Sequence, residues 1–195
     1  MKMIVSPAKK LDFELASPIA KFTQPKYLDK SEALIKTLKT YTTGEISKLM
    51  KLSDSLSELN VSRYREFHTP FNRENAKQAM YAFKGDTYVG LDAESFDKDD
   101  AAFAQKSLRI LSGLYGILRP MDLIQAYRLE MGTKLPCEGN KNLYEFWKNT
   151  LTKDLNKELK KDGDQALINL ASKEYFSSLD FSQLDVPVVT CHFME

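Results

Sequence analysis

Two short stretches carry the residues best suited to chemistry. In "SPAKKLD", residues 6–12, a serine, a proline and two lysines follow directly on an apolar run. In "NLASKEYFSS", residues 169–178, Asn169, Ser172, Glu174 and Tyr175 close another. Both put polar groups at the end of a β-prone segment, and ligands commonly sit beyond the carboxyl ends of strands. If the two strands are neighbours, Lys9 or Lys10 meets Glu174 or Tyr175 over one sheet edge. A lysine so placed can hold a phosphate or, when desolvated, attack as a Schiff-base nucleophile. The plainer alternatives are a solvated loop for the first stretch and, for the second, a helix capped by Ser172 with Tyr175 packed.

A third stretch, "ILSGLYGILRPMDLIQAYRLEMG" (residues 110–132), holds three of the chain's eight glycines. Gly113 and Gly116 sit among Leu, Ile and Tyr, with Arg109 before them and Arg119 after. Glycine inside a helix costs about 1 kcal/mol relative to alanine, so two this close imply a bend or a close backbone approach. One reading is a helix C-cap and a tight crossing to the next helix. The other is a helix-hairpin-helix whose free N–H groups face a phosphate, flanked by Arg109 and Arg119. The match to that motif carries one extra residue, Tyr115. Further on, Arg128 and Glu130 are two apart and share a face only if the segment is extended.

The elements expected to hold these groups are short strands among many helices. "MIVS" (3–6) is a buried strand ended by Pro7, which lacks a ladder donor. Helices are expected from Ser31, after Thr43-Gly44, over 54–66, and over 73–82 behind Asn72. Gly85 and Gly90 bracket a β-prone "TYV", predicting a loop and a short strand. Asp97 caps a helix expected to run through Lys106 and Arg109, with charges suiting its dipole. From Asn140, Leu143, Trp147, Leu151, Leu155 and Leu159 step by four until Gly163. "ALINLA" (166–171) and "VPVV" (186–189) are strands, with a short helix between them. The expectation is an α/β or α+β fold, a small mixed sheet surrounded by helices, in a single domain over 1–195.

Bulk properties narrow the function. The chain has 195 residues, 43% hydrophobic and 28% charged, with net charge +1. That excludes a uniformly basic nucleic-acid binder but not a local basic face. Residues 105–134 hold five cations against two acids, and residues 85–100 hold six acids against one lysine. Two cysteines, Cys137 and Cys191, make no disulfide framework. The start lacks a signal-peptide pattern, and no apolar run reaches the roughly 20 residues a bilayer requires. A cytoplasmic protein with no membrane segment is expected. His68, His192 and the Cys191-His192 pair lack metal-ligand spacing, so no metal and no cofactor is expected. Asp97, Asp99 and Asp100 offer at most weak iron binding.

"SPAKKLD", "AFKGDTYVGL", "LRILSGLYGILRPMDLIQAYRLEMG", "LYEFW" and "INLASKEYF" together, in this order, resemble the bacterial peroxide stress protein YaaA family. The likeness runs to about residue 189. It implies a cytoplasmic protein that protects against hydrogen peroxide and limits free intracellular iron. It also implies an unusual α/β fold with a helix-hairpin-helix and a positive cleft that binds double-stranded DNA, selecting structure rather than sequence. The DNA-contacting set is then Arg109, Gly113, Gly116, Arg119, Arg128 and Lys84. Family members continue beyond this chain's end, so a C-terminal part of the family domain is expected to be missing. A competing expectation is a nucleotide- or base-processing enzyme of the glycosylase/lyase type, since some helix-hairpin-helix proteins extrude a base into a pocket. Lys9 or Lys10, with Glu174 and Tyr175, would be its catalytic group.

Overall fold

The computed structural model describes residues 1–191; His192 and the rest of "TCHFME" after Cys191 lie outside them. The chain opens with β1 (Lys2–Val5) and β2 (Lys10–Leu11), then three helices, α1 (Leu28–Leu38), α2 (Thr43–Met50) and α3 (Asp54–Glu66). Next come β3 (Lys77–Gln78), α4 (Ala79–Ala82), β4 (Phe83–Lys84), α5 (Asp86–Leu91) and α6 (Lys98–Ser107). The second half holds β5 (Leu108–Ser112), β6 (Gly116–Leu118), β7 (Leu123–Ile124), α7 (Leu143–Asp162), β8 (Leu167–Asn169), α8 (Lys173–Phe176) and β9 (Val188–Thr190).

The main sheet is mixed, in the order β6-β5-β1-β8-β9. β1 is central and parallel to both β5 and β8, with Met3 opposite Leu108 on one side and Ile168 on the other. β9 is parallel to β8, and only β6 runs antiparallel. The two apolar runs that end in polar motifs are therefore adjacent. Ile4, Ile110, Leu111 and Leu167 are fully buried in this sheet, at roughly 1.5–3 kcal/mol each.

The helix α7 follows from its spacing. Leu143, Trp147, Leu151, Leu155 and Leu159 are all buried along one stripe. Asn142, rather than Asn140, caps it by accepting from the Glu145 N–H at 3.0 Å. Gly163, at φ +67°, ends it. The α6 start is likewise as expected, with the Asp97 carboxylate accepting from the Asp99 and Asp100 N–H groups at 2.8 and 2.9 Å.

Four expectations are corrected. The helix from Asp97 stops at Ser107, and residues 108–112 are strand, because all five are buried beside β1. The glycine segment is thus the turn of a β-hairpin, β5–β6, and no helix flanks its far side. "TYV" lies in the helix α5, where Tyr88 alone is buried. Asn72 caps one turn, not a helix over 73–82, because Lys77 and Gln78 pair with Ile124 and Leu123.

Candidate functional site

The chain leaves β1 towards β5 on one side of the sheet, and leaves β8 towards β9 on the other. The carboxyl ends of β1 and β8 therefore form a topological switch point, where open α/β sheets place ligands. Ser6 accepts a hydrogen bond from the Ser172 N–H at 2.9 Å, tying the two loops together. The Tyr88 hydroxyl donates to the Ser6 carbonyl at 2.9 Å and fixes the same turn from below.

Over this junction runs the irregular segment 127–130, which ends in a turn at 131–132. In it Arg128 and Glu130 meet, with the Arg128 Nη2 2.9 Å from the Glu130 Oε1. The Lys9 Nζ lies 3.3 Å from the other Glu130 oxygen. One carboxylate therefore serves two cations, leaving local positive charge. Lys9 remains 65% exposed. Lys9, Arg128, Tyr127 and Tyr175 line one crevice. Burial pushes the Tyr175 phenol far above its ordinary range, with Tyr127 and Glu174 adding to the effect. Tyr127 shares a 2.7 Å hydrogen bond with Ser112. Glu174 is occupied structurally: it accepts from the Gly132 N–H at 2.8 Å. Of the expected pairings, Lys9 with Tyr175 is brought together, while Glu174 serves the chain segment above them.

Beside the crevice lies the two-stranded pairing of β2 with β4, in which Lys10 stands directly opposite Lys84. Both are exposed. Asp12 holds the Lys84 Nζ at 2.9 Å, and its backbone carbonyl accepts from the buried Lys77 at 3.0 Å. The Lys84 hydrogen bond, helped by the Leu15 N–H, brings the Asp12 pKa down to about 2. Glu130 is legible in the sequence as the neighbour of Arg128, whereas Asp12, Tyr127 and Tyr88 are not marked there. The last letter of "SPAKKLD" was the available signal for Asp12.

The arginines and glycines expected to track phosphate lie elsewhere. Arg109 is 4% exposed. Its guanidinium is bound by the Glu158 carboxylate and donates to the Gln105 carbonyl at 2.9 Å. Arg119 is clamped by Asp122 at 2.8 Å and by the Gln24 carbonyl at 3.1 Å. Both line one cleft of about 400 Å³ near the start of β5, away from the switch point. Gly113 and Gly116 face inward. A Cβ at Gly113 would land on the Leu129 carbonyl, and one at Gly116 would lie 2.8 Å from Trp147. Trp147 in turn donates to the Gly113 carbonyl at 2.9 Å. The glycines admit a tryptophan and a neighbouring backbone, which explains their spacing without a phosphate. Arg109 is buried and paired with Glu158, and it borders the cleft that Arg119 also lines.

Among the described residues no cluster of three or more His, Cys, Asp or Glu is placed to hold a metal. Asp97 and Asp100 are instead engaged in each other's helix cap. No helix among the described residues is long and apolar enough to cross a membrane.

A family model described as peroxide stress protein YaaA matches residues 1–195, so the likeness extends past residue 189 to the last residue. A UPF0246 protein of Alteromonas mediterranea is 54% identical over 195 residues, covering all of this chain and 75% of the relative. UPF0246 proteins of Flavobacterium johnsoniae and Hahella chejuensis are 52% and 50% identical, with 77% and 76% of their lengths covered. The chain thus spans about three quarters of these relatives.

Proposed function

Because the chain belongs to the peroxide stress protein YaaA family, we propose that it acts in cytoplasmic peroxide defence by binding double-stranded DNA at the carboxyl end of its sheet. The observation that carries this reading is the cross-strand pair Lys10 and Lys84. Like charges directly opposite on a ladder are destabilising, and a polyanion laid across them removes that repulsion. Lys9 and Arg128, sharing one carboxylate, continue the cationic surface. Phosphate contacts from exposed lysines fix position and carry no sequence information, so binding through this surface follows backbone shape rather than sequence. Coating DNA in this way fits peroxide defence and stands beside the limiting of free intracellular iron that the family resemblance implies. Titration of unrelated duplexes at several salt concentrations is the test. Similar affinities, with a steep salt dependence that weakens when Lys10 or Lys84 is neutralised, are expected. Equal binding by wild type and both variants would remove this surface from the reading.

A second reading rests on Lys9 and Tyr175 lining one crevice: Lys9 as an amine nucleophile on a damaged base site. Its exposure and its Glu130 partner give it little of the desolvation that such lysines use. Borohydride trapping on an abasic duplex decides it, since only a Schiff base leaves a covalent adduct.

A further inference from the structure

The cleft of about 400 Å³ near the start of β5 carries a regular pattern of charge. Asp154, Lys157, Glu158 and Lys161 recur at three and four along α7, so they share one face of that helix. Lys26, Arg109, Arg119 and Asp122 complete the charged lining, which makes five cations against three carboxylates. The lining holds no histidine. Its apolar surface comes from Ile117, half-buried on β6, over the buried Leu155 and Tyr27.

Each carboxylate already has its partners. Asp122 is buried, and it accepts from the Arg119 guanidinium at 2.8 Å and the Thr23 hydroxyl at 2.6 Å. Glu158 binds Arg109, whose Nη1 goes to two backbone carbonyls. Asp154 accepts from the Tyr27 hydroxyl at 2.7 Å and serves two lysines, Lys26 at 2.8 Å and Lys157 at 3.6 Å. Cationic capacity is left over. Lys161 forms no ion pair among the described residues, and its neighbour Asp162 is held by the buried Lys2. Arg119 spends Nε and Nη2 on Asp122 and the Gln24 carbonyl, while its Nη1 forms no hydrogen bond among the described residues. The α7 dipole offsets at most about half a charge at Lys161, so more than one positive charge in the cleft stays unmatched. Concave walls of low dielectric focus such a field.

A compact dianion matches what is left over. A duplex does not, because three carboxylates interrupt any continuous track of phosphates here. A phosphate group can accept from lysine ammonium groups and a guanidinium edge at once, and a small apolar body can lie on Ile117. We propose that this cleft binds a small phosphomonoester, with its phosphate held by Lys161, Lys157 and the Arg119 Nη1. The volume suits a small-molecule ligand. Binding there does not depend on the DNA surface at Lys10 and Lys84.

Calorimetric titration of the full chain with phenyl phosphate, inorganic phosphate and phenol tests the cleft without DNA. Phenyl phosphate should bind more tightly than inorganic phosphate, and phenol should not bind measurably. Lys161→Gln and Lys157→Gln change exposed side chains and should leave the melting temperature in place. Each should weaken phenyl phosphate about fivefold or more, the scale of one lost hydrogen bond to a charged group. Ile117→Ala should reduce the advantage of phenyl phosphate over inorganic phosphate. Affinity should also rise from about pH 5 to about pH 7, as the phosphoryl group takes its second charge near pH 6. Lysine, arginine and carboxylate side chains have ordinary pKa values outside that window. Lys10→Gln should change none of these results. Absence of phenyl phosphate binding, equal binding of phenol, affinity indifferent to both lysine variants, or a flat pH profile overturns the proposal. Displacement of phenyl phosphate by a duplex would assign the cleft to the DNA surface and overturn it as well. Phenyl phosphate binding in a chain that binds no duplex leaves this cleft standing and removes the DNA reading alone.

Discussion

Lys10 and Lys84 face each other across the β2–β4 pairing, and the Asp12 carboxylate holds the Lys84 ammonium at 2.9 Å. Lys10 forms no ion pair among the described residues. The pairing therefore keeps an exposed cation that local stability does not require.

Lys10→Gln should leave stability unchanged or raise it by a few tenths of a kcal/mol, since it removes a like-charge pair. Duplex affinity should fall at low salt, and the slope of log affinity against log salt should shrink by roughly 0.9 for one lost phosphate contact. Lys161→Gln, on the separate cleft with Arg109 and Arg119, should leave that slope in place. Equal effects of the two substitutions would mean that net charge, and not the Lys10–Lys84 surface, governs binding.

Asp12 makes a pH-dependent contribution. Its pKa is about 2 in the folded chain, against roughly 3.9 unfolded. The folded form therefore favours the ionised carboxylate. That stabilisation is fully present above about pH 4 and is lost as pH falls through about 2. Asp12→Asn should cost about 1 kcal/mol near neutrality, allowing for solvent screening at this partly exposed group. Urea unfolding of wild type and variant between neutral pH and pH 2 checks this. The two stabilities should converge at the acid end.

Gly116 has φ +72°, and a Cβ there would lie 2.8 Å from the Trp147 ring. Gly116→Ala should destabilise by about 1–3 kcal/mol, from left-handed strain and the displaced indole. A helical Gly116 predicts the opposite sign, because alanine is the better helix former. Thermal unfolding distinguishes the two. Since Gly116 faces inward, duplex affinity measured well below the midpoint should be unchanged.

The contrast between α7 and β5 explains what was legible in the sequence. Leu143 to Leu159 repeat in steps of four, the Asn142 cap lies just before them, and Gly163 lies just after. All the information is local. Residues 108–112 continue an equally good helical pattern, and only their burial beside β1, about a hundred residues earlier, makes them strand. Gly113 and Gly116 were recognised as unusual, but their partners, Leu129 and Trp147, come from distant segments. Arginine predicts exposure, so sequence alone puts Arg109 on a surface, whereas Glu158 and the sheet hold it 4% exposed. The Lys9–Tyr175 crevice was readable because two apolar runs each ended in polar groups and those runs proved adjacent.

The Arg109–Glu158 pair offers an asymmetric test of that burial. Arg109 is 4% exposed, whereas the Glu158 side chain is 31% exposed. Removing the arginine leaves a carboxylate that water can still reach. Removing the glutamate leaves a buried guanidinium with carbonyl partners only, and an uncompensated buried charge is the costlier residue of a broken pair. Glu158→Ala should therefore lose about 2–4 kcal/mol, and Arg109→Met, which keeps the apolar volume of the stem, clearly less. Urea unfolding of both variants measures the difference. If Arg109 instead met phosphate, Arg109→Met would flatten the salt dependence of duplex binding by about one contact. An unchanged slope with the stated order of stabilities supports a purely structural arginine. A flattened slope would return it to the DNA surface.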